Sequence, residues 1–319
     1  MASVGAELLM ARQDAIYMSV LNSRKHRLGA QDNPTVGLFV STDGGTTWDH
    51  IGWKGYVRTF YAEVGSDGTL WSACGNGVLR STDGGNSWRI TTGWQVTEVL
   101  KVKVDALKPA VVYAATAYGI FKTEDSGETW KEENKGFLKP FVSDIVIDGF
   151  HPDNLFAGSE DGVYLSTNGG TGWRRVGIEG KGVRTIVQHP LIKDLFFAGT
   201  EDDGVFVSRD GGKSWSATNS GLNHLTVYSI VCDRSNPDIL YVGTHGGGVY
   251  RSSDGGRSWS QKTEGLSNLV VHSLVVLPSN PSVLFAGTLN GGLFKSSDGG
   301  EHWAFNSQEE AQVWGLWVK

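Results

Sequence analysis

The chain has little cysteine and little proline: 2 Cys and 8 Pro in 319 residues. Cys74 and Cys232 are too few for a disulfide framework. Both fall in apolar, strand-like runs and read as buried free thiols. Scarce proline excludes a collagen-like chain, which needs it together with Gly at every third position. No stretch approaches the roughly 18 apolar residues of a membrane-spanning helix. A basic footprint is also missing. The net charge is −6 and the isoelectric point is near 5.8, which argues against a dedicated nucleic-acid binder. Met1 to Val20 lacks a basic segment followed by a long apolar core, so no secretory leader is read. The expected location is cytoplasmic; a secreted chain already cleaved of its leader would read the same.

What is plentiful is glycine and tryptophan, 44 and 12 residues, together with 39% hydrophobic content. That excludes disorder and directs the search to repeats. One phrase occurs seven times. It begins as Ser41-Thr42-Asp43-Gly44-Gly45-Thr46-Thr47-Trp48 and returns at Ser81–Trp88, Thr123–Trp130, Ser166–Trp173, Ser208–Trp215, Ser252–Trp259 and Ser296–Trp303. Its chemistry is that of a turn: Gly accepts positive φ and Asp binds nearby backbone N–H groups. Asn168 keeps that capacity in the fourth copy, whereas Ser126 replaces the first Gly of the third and predicts strain there. The closing Trp is an apolar anchor whose N–H needs a partner.

Between phrases every unit repeats one plan. In the sixth, Val227–Val231, Ile239–Gly243 and Val249–Ser252 read as three strands, with a fourth starting near Ser258. Four short strands in a unit of about 43 residues predict an all-β, seven-bladed β-propeller, one box per blade, forming one domain over residues 1–319. The sequence resembles the Asp-box (BNR) repeat family of sialidases, xyloglucan-active glycosidases, sortilin-type receptors and propeller assembly factors. The resemblance implies that the boxes lie away from the ligand face. Val313–Val318 reads as a strand closing the ring from inside the blade that carries the first box. Glu7–Ala11 is also strand-like, and its place is open.

Function is sought where the units differ. The second position of each first strand varies: Arg58, Thr97, Ser143, Arg184, Tyr228, His272 and Trp314. These are expected to ring the channel mouth. The adjacent turns add Glu160, Asp161, Glu201, Asp202 and His245, and an expanded first-unit turn adds the basic run Arg24–Arg27, with His26 in it. The connections between units add Trp53, Lys54, Tyr56 and Trp94 as stacking surfaces. His272, Tyr228 and His245 are the candidate acid–base groups. Arg58 and Arg184 would clamp a carboxylate, with Trp314, Trp53, Trp94, Glu160, Glu201 and His26 completing a binding site. His50, His151, His189 and His302 are read as turn residues.

The expected ligand is a small anion or acidic glycan, with hydrolase or lyase chemistry. The expected protein is a monomer with no cofactor, metal, nucleic acid or membrane contact. Against catalysis stands the absence of any Gly-x-Ser-x-Gly elbow, phosphate loop or His-Glu-x-x-His. The sialidase pattern is also incomplete, with two Arg in the expected ring and no Arg-Ile-Pro start. Xyloglucan-active members of the family pair two propellers, and this chain holds one. The alternatives are a protein-binding or assembly propeller and a lectin using Trp53, Trp94 and Trp314.

Overall fold

A computed structural model describes residues 14–25, 34–53 and 57–319. The described chain is all-β, without helices, and forms seven four-stranded antiparallel sheets. The sheets are the blades of a propeller around a central channel. Blade 6 is typical: Val227–Cys232, Leu240–Thr244, Gly248–Ser252 and Ser260–Gln261 from the inside out. The sequence boundaries are met to within two residues.

Burial differs from strand to strand for a simple reason. The second strands, such as Leu155–Ser159 and Phe196–Thr200, are buried at every position. Both of their faces are covered by neighbouring blades, so they lack the polar alternation of a half-exposed strand. The fourth strands have one neighbour and face solvent; Ser260–Gln261 is exposed throughout.

The boxes are self-contained. In blade 6 the buried Ser252 hydroxyl donates to Asp254 Oδ1 at 2.7 Å and accepts from Gly256 N at 2.9 Å. Asp254 in turn accepts from Arg257 N, Ser258 N and the Ser258 hydroxyl. The closing Trp259 donates its indole N–H to Thr218 O of the preceding blade at 2.8 Å. Trp88, Trp173 and Trp303 make the same kind of bond to Ile51, Glu133 and Lys262. The box therefore fixes its own turn, and in five of the seven copies its Trp also staples two blades; Trp215 instead donates to Gly212 O of its own box, and the Trp130 indole N–H has no acceptor among the described residues. Ser126 is held at φ +60, in the left-handed region, which is the strain expected of a side chain where the other six copies carry Gly.

A second repeated contact sets blade spacing. A Cβ at Gly158, Gly199, Gly243 or Gly287 would lie 2.5–2.9 Å from a methyl of Val183, Val227, Val271 or Val313 on the next blade. Only glycine lets those strands approach so closely. The last contact shows how the ring closes. Ala311–Val318 occupies the innermost place of blade 1, paired with Ile16–Ser23, while Gly37–Ser41 and Asp49–His50 complete that sheet. The expected C-terminal closure is present. Glu7–Ala11 lies outside the described residues.

Candidate functional site

Each first strand enters the channel at its N-terminal end, and there each one bulges. Blade 6 pairs Val227 with Thr244 and then Ser229 with Gly243, leaving Tyr228 unpaired. The same slip leaves out Phe60, Leu100, Ser143, Arg184, His272 and Trp314 on the other six blades. A bulged residue is released from the pleat and its side chain re-aimed. All seven line one cavity of about 490 Å³ at the channel mouth.

Four of them form an aromatic arc across blades 6, 7, 1 and 2. Tyr228 and His272 stack with ring centroids 4.2 Å apart and planes 10° from parallel. His272 and Trp314 follow at 4.3 Å and 31°, and Phe60 meets Trp314 edge-on at 5.8 Å. Across the mouth Arg184 is ion-paired with Glu201 and lies over the Phe141 ring. At the floor the buried Asp144 takes Lys101 Nζ at 3.2 Å and the N–H groups of Ile145 and Ile186 at 2.8 and 2.9 Å. Lys101 also sits 3.9 Å over the Tyr61 ring.

These surroundings decide the charge states. Burial, with a smaller contribution from nearby His245, pushes the His272 imidazole down to about 4, so it is neutral at neutral pH. Burial raises the Tyr228 phenol above its usual range, with Arg184 opposing. The two rings meet face to face, an arrangement for stacking and not for passing a proton between Oη and a ring nitrogen. Every cation and anion lining the cavity is paired. The mouth is an aromatic, hydroxyl-bearing pocket whose formal charges cancel locally.

The expected site is gathered only in part. Arg184, Tyr228, His272 and Trp314 come together, with Glu201 bound to Arg184 and His245 edge-on to Tyr228 at 6.0 Å. Arg58 does not join them. Blades 2 and 3 start their ladders at Thr59 and Val99, so Phe60 and Leu100 take the places assigned to Arg58 and Thr97. The two-arginine clamp is therefore not assembled. Trp53 lines a separate groove of about 550 Å³ beside the second box, and Trp94 stands 86% exposed outside the cavity. Glu160 is exposed, while Asp161 is held by Arg175 and the Tyr164 hydroxyl. His26, Lys54 and Tyr56 lie outside the described residues.

Asp144 and Lys101 were missed. Their signal is the third position of the first strand, where Asp144 alone is acidic and Lys101 alone basic. Of the discounted histidines, His189 and His302 serve turns, whereas His50 lies in the strand Asp49–His50. His50 bonds to Val36 O, and His302 to its own box Asp298. The fully buried His189 accepts from Leu191 N and Ile192 N through Nδ1. Among the described residues no group of three or more His, Cys, Asp or Glu is placed to hold a metal ion, and no helix is long and apolar enough to cross a membrane.

The model of the BNR/Asp-box repeat matches residues 39–50 and 206–217, the first and fifth of the seven turns. The chain carries BNR/Asp-box repeats on a seven-bladed propeller. A probable oligoxyloglucan-reducing end-specific xyloglucanase of Neosartorya fischeri is 33% identical to it over 110 residues, 29% of this chain and 14% of that protein. The GH74 enzyme of Niastella koreensis superposes on the Asp-box propeller with a TM-score of 0.72 at 17% identity, over 93% of this chain and 55% of that one. YCF48 bound to D1 peptide superposes with a TM-score of 0.62 at 17% identity, covering 87% of each chain. At such identities the two structures share the fold of this propeller. The chain spans about one seventh of its curated relative and about half of the GH74 enzyme.

Proposed function

We propose that the channel mouth recognises an uncharged oligosaccharide. One observation carries this reading: the arc of Tyr228, His272, Trp314 and Phe60 faces the Arg184–Glu201 pair across a cavity of about 490 Å³. A sugar presents apolar C–H faces and a rim of hydroxyls. The aromatic edges suit the first, and the paired guanidinium and carboxylate suit the second, as donor and acceptor. A pocket of that volume lies within the range of small-ligand sites. The curated relative named as a xyloglucanase supports a glycan as the ligand class. Local charge cancellation favours a neutral sugar over the acidic one expected from the sequence.

The reading is recognition without cleavage. Glycoside hydrolysis ordinarily takes two carboxyl groups flanking the bond. Here Asp144 is engaged by Lys101 and two backbone N–H groups, Glu201 by Arg184, and Asp161 by Arg175. Isothermal titration with xyloglucan oligosaccharides tests the proposal. Binding should weaken at least about tenfold in Trp314→Ala and Arg184→Gln, about 1.4 kcal/mol each. Unchanged binding in both variants, or none by the wild type, sinks the sugar reading. Release of reducing ends from xyloglucan would overturn the non-catalytic part.

A further inference from the structure

The channel has a second mouth. At its opposite end, where the first strands finish, lies a cavity of about 520 Å³. Its walls hold Lys101, Lys103, Arg234 and Lys319, contributed by blades 3, 6 and 1, against one lining side-chain carboxylate, Glu63. A cation-rich concavity in a chain of net charge −6 is a local reversal of sign, and a concave low-dielectric wall focuses such a field.

Glu63 is spent: it pairs with Lys103 and accepts from Val104 N at 2.9 Å. Lys101 is paired with Asp144 on the side of the other cavity. Two acids near the rim are also engaged. Asp148 caps its own turn and takes Gln188, and Asp233 caps the turn at Ser235 and Asn236. Arg234 makes no hydrogen bond or ion pair among the described residues. Trp317 lines the same cavity, and its indole N–H, buried with the residue only 8% exposed, has no acceptor. An unpaired donor in a wall is a cost unless something accepts from it.

We propose that this lower mouth is a binding site for a small polyanion, a phosphoryl or polycarboxylate compound. Its oxygens would take the Arg234 fork and the Lys103 and Lys319 amines. It is independent of the sugar reading, since it uses the other end of the channel. The test is isothermal titration of the full chain with inorganic pyrophosphate and, separately, citrate. At least one should bind, more weakly as NaCl is raised. Arg234→Gln should cost about tenfold in affinity, as expected for a charge-assisted fork. Arg234 is exposed and unpaired, so folding is not at issue in that variant. The double variant Glu63→Gln/Lys103→Gln removes both members of a pair and should also weaken binding. Pyrophosphate without citrate, or the reverse, supports the proposal and selects the class. Failure of both probes to bind, or undiminished binding in both variants, overturns it. Trp314→Ala should bind the polyanion as the wild type does, which separates this outcome from failure of the upper mouth.

Discussion

Tyr228, His272 and Trp314 meet because each is the extra residue of a bulge, and their packing has consequences for pH. His272 is driven down to about 4 and His189 is also lowered, both chiefly by burial. The unfolded chain takes up these protons near the ordinary imidazole value of 6.5, whereas the folded chain resists them. Their contribution to stability is therefore complete above about 6.5 and falls as the pH drops, levelling near 4 for His272. Urea denaturation between pH 8 and 4 should show that decline. His272→Gln should flatten it while leaving stability at pH 8 little changed. A second loss follows at lower pH. Asp125, Asp210 and Asp254 are lowered to about 2, with hydrogen bonds from their own turns holding them down. Their contribution is present above the ordinary carboxylate value and is lost as the pH falls from about 4 towards 2. Within a box the buried hydroxyl matters most: Ser252→Ala leaves Gly256 N–H without its partner and should cost about 1–3 kcal/mol in a denaturant titration.

At the scale of elements, the strand that closes the ring is the most exposed to test. Ala311–Val318 completes blade 1, and its Trp317 stacks on Tyr17 at 5.4 Å and packs against Tyr61 at 5.0 Å. Trp317→Ala should cost roughly 3–5 kcal/mol by denaturant midpoint. Removing residues 311–319 should abolish cooperative unfolding, because blade 1 then presents a bare inner edge to the channel. The strand plan of the blades was legible beforehand, since Asp-Gly turns and apolar runs are local signals. So was C-terminal closure, because Val313-Trp314-Gly315-Leu316 repeats the pattern of Val271-His272-Ser273-Leu274. Blades 2 and 3 misled that same reading. Val57 and Val96 precede strands that begin at Thr59 and Val99, so Arg58 and Thr97 were placed in a ring that Phe60 and Leu100 occupy. A valine marks a strand locally, but only pairing across the ladder fixes which residue bulges.

For the whole molecule the channel divides in two. The cavities at its ends share Tyr61, Lys101, Ile186, Val187, Ile230, Val231, Leu274 and Leu316 as a waist. One side of that waist is the Tyr61–Lys101 pair and the other is aliphatic. The upper mouth cancels its charges, and the lower one keeps an unpaired arginine. Substitutions at the two ends share no partners, so their effects should add. A combined Trp314→Ala/Arg234→Gln variant should lose sugar and polyanion binding by the same factors as the single variants, as measured by titration with each ligand.

The sequence by itself determined the repeat, the turn chemistry of the boxes, the strand order within blades and the ring closure. Those features depend on neighbours in the chain or on a pattern repeated seven times, and both can be read along one dimension. The tertiary structure alone decided the charge state of the mouth. Arg184 and Glu201 are 17 residues apart, and Lys101 and Asp144 lie on different blades. Whether such groups stand free to bind a ligand or neutralise one another depends on where the blades bring them, which no single unit encodes.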